Sequence, residues 1–198
     1  VANQKKTGLA TVIVYCLLLL VILAFGAWLR FDHTPAHHVM YLDEPWYIQA
    51  ANAMLSGEGP VLCEGDFGGE KCEPFPKALG WPSLLSGVFW VSGVTGANAI
   101  ALNRFLGLLA ILLAAACARL AGGNWFQVLA AATLMAMFPS HAGWSATAET
   151  NIAASVFLLG GICGVLAFLR QGGWPAALLS ASGLAAAATV RPELLATL

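Results

Sequence analysis

Two adjacent acids, Asp43 and Glu44, follow the first long apolar run of the chain and sit among aromatic residues in Tyr41-Leu42-Asp43-Glu44-Pro45-Trp46-Tyr47. A carboxylate pair at the edge of a membrane loses hydration, so it needs a partner or a use. One use is chemical: a fixed carboxylate can orient an acceptor hydroxyl or take its proton. The complementary cations are Lys77, Arg104 and Arg191, which can grip a lipid phosphate through charge-assisted hydrogen bonds. Each of the three can equally snorkel to an interface or pair with Glu149 and Glu193. Glu149, in Ala148-Glu149-Thr150-Asn151, is a second acid beside an apolar run. Either Glu149 or Asp43 with His141 is a weak candidate pair for a divalent cation, and His33, His37 and His38 form another; interface histidines without metal are the commoner case.

The elements that must hold these residues are membrane helices. The chain is 59% hydrophobic and 10% charged, with a mean hydropathy of +0.77, whereas soluble domains carry about 25% charged residues. This composition excludes a large soluble core, and a net charge of −1 gives no footing for nucleic acid. Leu9–Leu29 is uncharged and 21 residues long, and about 20 apolar residues cross the hydrocarbon core. Further spans are expected over about 97–118, 125–138, 152–169 and 174–190, with tight turns at Gly122-Gly123-Asn124 and Gly172-Gly173. Alanine and glycine crowd several of them, which lets membrane helices approach closely. The expected fold class is all-α: a polytopic transmembrane helix bundle with an outer loop, residues 30–96, that carries interfacial helices.

Leu79–Val94 is a sixth apolar stretch. Gly80-Trp81-Pro82 interrupts its start, and Gly87 and Gly93 weaken it as a helix. Charge favours leaving it out of the membrane. Lys5 and Lys6 mark the N-terminus as cytoplasmic, and five spans keep Arg119 and Arg170 on that same side. A sixth span would leave the cytoplasmic loop with Glu149 and no Lys or Arg. Leu79–Val94 is therefore read as packed at the outer interface. Leu9–Leu29 can also be read as a cleaved signal peptide, with Ala24-Phe25-Gly26 as a weak cleavage match; the following loop faces outside either way.

Eight of the ten acids lie in that loop. Asp43 is expected to cap a helix that reaches Ser56 and ends at Gly57, with Trp46, Ala50 and Met54 and then Tyr47, Ala51 and Leu55 repeating every fourth position. Cys63 and Cys72 flank a segment with Gly68-Gly69 at its turn and read as a disulfide, with a reduced pair or a two-cysteine metal clip as alternatives. Cys16, Cys117 and Cys163 are read as small buried residues within spans.

The order of these features resembles the N-terminal half of polytopic GT-C glycosyltransferases, in the protein O-mannosyltransferase and aminoarabinose-transferase-like branch. The resemblance rests on Asp43-Glu44 with Tyr47, on Pro74-Phe75-Pro76-Lys77-Ala78-Leu79-Gly80-Trp81-Pro82, and on Asn103-Arg104-Phe105-Leu106-Gly107. Phe138-Pro139, Ala148-Glu149-Thr150-Asn151 and Arg191-Pro192-Glu193 complete it. It implies a catalytic carboxylate at Asp43; Glu44 is read with it as the second member of the catalytic pair, mainly supporting the loop. It also implies an acceptor- or cation-shaping acid at Glu149 and a phosphate grip at Lys77 and Arg191. Some relatives carry an acid before the lysine as a metal ligand; Pro76 stands there in this chain, so no cofactor is assigned and a divalent metal stays open. The implied donor is a polyprenyl-phosphate-linked sugar, the acceptor a hydroxyl of a protein, lipid or glycan. The implied location is a bacterial cytoplasmic membrane, in contact with its lipids and with the active loop outside.

The chain begins at Val1 and ends at Leu198, just past an apolar segment, and is read as part of a longer or trimmed enzyme. The competing expectations are a non-enzymatic membrane subunit for transport or assembly and another lipid-phosphate transferase. The charge pattern predicts that Asp43, Glu149 and Arg191 share the non-cytoplasmic side. Cysteine-accessibility labelling in a background without native cysteines checks this: labelling of position 149 only from the cytoplasm rejects the five-span order.

Overall fold

The computed structural model describes residues 8–34, 43–64 and 71–193. Lys5, Lys6, His37, His38 and the Gly68-Gly69 turn lie outside them. Helix α1 (Leu9–Trp28) passes into a π-helical turn, Leu29–His33. Helix α2 (Glu44–Leu55), strands β1 (Val61–Glu64) and β2 (Lys71–Pro74) and helix α3 (Gly80–Ser92) follow. Then come α4 (Gly96–Leu120), α5 (Trp125–Met137), α6 (Pro139–Trp144), α7 (Asn151–Gln171) and α8 (Trp174–Val190).

Among the described residues, three helical segments are long and apolar enough to cross a membrane: Leu9–His33, Gly96–Leu120 and Asn151–Gln171. Helices α5, of 13 residues, and α8, of 17, are apolar but shorter. At about 1.5 Å per residue they extend roughly 20 Å and 26 Å. Helix α1 leaves most of its apolar side chains uncovered, Leu9, Leu17, Leu20 and Val21 among them. Leu79–Val94 contains the 13-residue α3, which buries Trp81, Leu85 and Phe89 and packs on α2, α4 and α8.

Local sequence explains most boundaries. Asn124 and Gln127 form a reciprocal capping box at the start of α5, with bonds of 2.8 and 3.0 Å. Pro139 ends α5 by holding Phe138 extended. Thr95 caps α4 by accepting from the Asn98 amide. The cap expected from Asp43 is not made. Asp43 occupies the N-cap position of α2, but its side chain gives no capping bond and turns to Lys77 instead. The buried face of α2 centres on Tyr47, Ala50 and Ala51; Trp46 and Leu55, which the four-residue repeat aligned with it, are exposed.

The all-α expectation is amended by a small hairpin. β1 and β2 run antiparallel with Cys63 opposite Cys72, and a disulfide joins the two. Gln49 of α2 donates to the Cys63 carbonyl at 2.7 Å. The Phe75 amide donates to the Pro60 carbonyl at 2.9 Å, and the Phe75 ring meets Tyr47 edge-on. The hairpin is thus bound to α2 at its base, and it delivers Lys77 to the start of α3.

Helices α7 and α8 pack tightly through glycine. A Cβ on Gly183 would stand 2.5 Å from the Gly161 nitrogen, backbone against backbone. At one end of this pair Arg170 donates to the Arg119 carbonyl at 3.2 Å; the start of α7 and the end of α8 lie at the other. Gly183→Leu is expected to lower the thermal midpoint in detergent, since overpacking costs about 1–3 kcal/mol. Ser182→Leu, at an exposed position beside it, should leave the midpoint in place. Equal midpoints for the two variants would show that the helix contact is not tight.

Candidate functional site

Between α6 and α7 the backbone leaves helix and strand geometry, yet Ser145, Ala146, Thr147, Ala148, Glu149 and Thr150 are all buried. Buried peptide groups need partners. Here side chains from three helices supply them. Glu44 of α2 accepts from the Ala148 amide at 2.8 Å. Trp81 of α3 donates from Nε1 to the Ala148 carbonyl at 2.7 Å. Asn103 of α4 donates from Nδ2 to the carbonyls of Thr147 and Glu149 at 2.7 and 2.8 Å.

This held segment forms one wall of a cavity of about 330 Å³. Asp43 and Tyr47 of α2 line it, with Lys77, Glu149 and Asn151, and with Arg191 just past α8. Lys77 forms an ion pair with Asp43 and stands 5.4 Å from the ring centre of Trp46 and 5.6 Å from that of Tyr47. Arg191 donates to the Asn151 side-chain oxygen and approaches the Glu193 carboxylate at 3.9 Å. The start of α7 also faces this space, and Thr150 at its N-cap makes no side-chain cap. The Glu149 carboxylate takes up the Thr150 amide there, so the positive end of the helix dipole already has an acid beside it.

The electrostatics are those of crowded, partly desolvated acids. Burial pushes Glu149 above its ordinary value, and the charges of Asp43 and Glu44 push in the same direction. Burial likewise raises Glu44, offset by the bond from Ala148. Tyr47 is raised to about 12 by burial and by the Glu149 and Asp43 carboxylates, so its hydroxyl remains a hydrogen-bond donor at neutral pH. The site holds both proton-accepting and anion-binding groups within one cavity.

Asp43, Lys77, Glu149 and Arg191, singled out from sequence, come together here; Glu44 stands behind them on the backbone of the held segment. Arg104 does not line the cavity. It lies over the Phe31 ring at 5.4 Å and donates to the Thr34 carbonyl at 3.3 Å. His141 does not line the cavity either. Its Nδ1 accepts from Arg30 at 3.1 Å, which leaves Nε2 to donate to Ser155 at 3.3 Å. Burial and then Arg30 hold it down to about 4. Both ring nitrogens of His141 are thus engaged within the protein. His33 stacks on Trp28, with ring centres 5.0 Å apart. No cluster of three or more His, Cys, Asp or Glu suited to one ion occurs among the described residues.

Sequence reasoning missed Trp81 and Asn103 as supports of Glu149, and Arg30 altogether. The one available signal for Asn103 was an amide inside an apolar run. Comparison with protein-family models, with curated proteins and with solved structures finds no match.

Glu44 and Glu149 are held protonated to higher pH in the folded chain than in the unfolded one. The folded state then binds more protons, so stability falls as pH rises from the ordinary value of 4.5 through the raised folded values. Glu149→Gln is expected to flatten this fall. Thermal unfolding in detergent from acid to neutral pH measures it, and parallel profiles for wild type and variant would contradict it.

Proposed function

We propose that this chain is part of a membrane glycosyltransferase that moves a sugar from a polyprenyl-phosphate carrier to an acceptor hydroxyl on the non-cytoplasmic face. The observation that carries this reading is the cavity in which Asp43 and Glu149 meet Lys77 and Arg191. A lipid-phosphate donor needs a cationic seat for its leaving phosphate. An acceptor hydroxyl needs a carboxylate to orient it and take its proton. One cavity offers both.

In this reading the donor phosphate draws Lys77 away from Asp43 and sits between Lys77 and Arg191. Asp43 is then free to accept the proton of the acceptor hydroxyl. The acceptor oxygen bonds to the anomeric carbon as the bond from that carbon to the phosphate oxygen breaks, and the carrier phosphate leaves as an anion. Glu149, deeper in the wall, shapes the acceptor side. No step is routed through a metal. The reading takes five crossings, α1, α4, α5, α7 and α8, which puts Arg119 and Arg170 on the cytoplasmic side and the cavity on the other. These roles are the ones that the resemblance to GT-C transferases implies. The phosphate seat equally suits another lipid-phosphate transferase, which the product of the reaction distinguishes.

Asp43→Asn tests the role of the carboxylate. The Asp43 side chain makes no capping bond, so Asn preserves the start of α2 while losing the base. In the full-length, membrane-embedded protein the variant should lose about 10²–10⁴-fold in sugar transfer. Near-normal turnover at matched protein would remove the general-base role. A product carrying transferred phosphate rather than sugar would favour the other transferase class.

A further inference from the structure

Asn103 stands on α4, a helix long and apolar enough to cross a membrane, and its side chain is wholly enclosed. Its Nδ2 donates to the two carbonyls that flank Ala148, those of Thr147 and Glu149. Among the described residues its Oδ1 is buried with no hydrogen-bond partner. An unpartnered buried carbonyl destabilises, and an aliphatic side chain of similar volume would avoid it. That replacement would leave two buried backbone carbonyls without donors instead. The amide therefore answers a need of the 147–149 segment rather than a need of α4.

The need is directional. The Ala148 peptide groups are already held by Glu44 and Trp81. Asn103 adds the carbonyls on either side, so the backbone on both sides of the Glu149 Cα is fixed. A side chain leaves its backbone along a direction set by that backbone. We propose that Asn103 is a positioning residue: its amide sets the direction in which the Glu149 side chain enters the cavity, and so ties α4 to the site. The groups that share the neighbourhood of Glu149 are Asp43, Glu44 and Tyr47 from α2, with Lys77 before α3 and Arg191 after α8. None of them replaces the two donors that Asn103 supplies.

The placement itself can be read without any transfer reaction. In full-length protein lacking its free cysteines, Glu149→Cys is reacted with a small charged methanethiosulfonate reagent, with Asn103 present or replaced by Leu. Ala78→Cys, on another wall of the same cavity, controls for a preserved fold. The expected result is a change of about tenfold at position 149, the factor that ~1.4 kcal/mol makes in a population, with position 78 unaffected. Equal rates at position 149 overturn the proposal. If Asn103→Leu perturbs position 78 as well, Asn103→Ser, which keeps one donor, decides by the same comparison. The consequence for turnover rests on the proposed transferase reading. Misplacing Glu149 should lower kcat by up to about 10²-fold while the KM for the lipid-linked donor, held by Lys77 and Arg191, stays in place. A wild-type protein without transferase activity would remove that reading and leave the labelling result to judge Asn103.

Discussion

An irregular piece of backbone, Ser145–Thr150, is enclosed by helices, and the fold around it is organised to satisfy its peptide groups. Irregular backbone at such depth is tolerated only where protein surrounds and bonds it. Glu44, Trp81 and Asn103 arrive from three separate helices and meet on three consecutive residues. This requirement ties the start of α2, with α3 and α4, to the segment that precedes α7. Asp43 and Glu149 face one cavity as a result. The acid pair in the sequence thus divides its labour: Glu44 is spent on the backbone, and Asp43 faces the open space.

A second buried network holds the other side of the same turn. Arg30 is fully enclosed and donates to the carbonyls of Gly26, Met135 and Ala136 and to His141. Two of those carbonyls lie in the last turn of α5, where a helix leaves acceptors unpaired and its dipole is negative. The guanidinium is accommodated because residue 107 is glycine; a Cβ there would lie 2.8 Å from Arg30 Nε. Among the described residues this buried cation has no carboxylate beside it and is matched by dipoles instead. It joins α1, α5 and α6, and so anchors the stem from which the irregular segment departs.

Helix positions were legible in the sequence because hydropathy, Gly and Pro report directly on local structure. The runs expected near 97–118 and 152–169 appear as α4 and α7, each extended by one to two residues per end. The cysteine spacing located the disulfide, but not that its arms would pair as strands. Asp43 misled because an acid ahead of a helix reads as a cap; what decided its direction was Lys77, 34 positions further on. Arg104 misled for a related reason. A cation near a helix start looks available, and only packing shows that Phe31 and Thr34 hold it. Long-range partners of this kind leave no periodic trace. Asn103, Trp81 and Arg30 therefore emerge only once the helices are placed in space.

The glycine contact between α7 and α8 has a mechanical consequence for the cavity. Gly161 and Gly183 let the two backbones touch, with no side chain between them to act as a bearing. Asn151, where α7 begins, and Arg191, where α8 ends, are thus borne on one stiff jaw and are further tied by their own hydrogen bond. The opposing jaw is built differently, from the start of α2 and the stretch after the hairpin, joined across by the Lys77–Asp43 pair. Closure around a guest would therefore be one-sided: the hairpin side yields, and the helical side keeps its gauge.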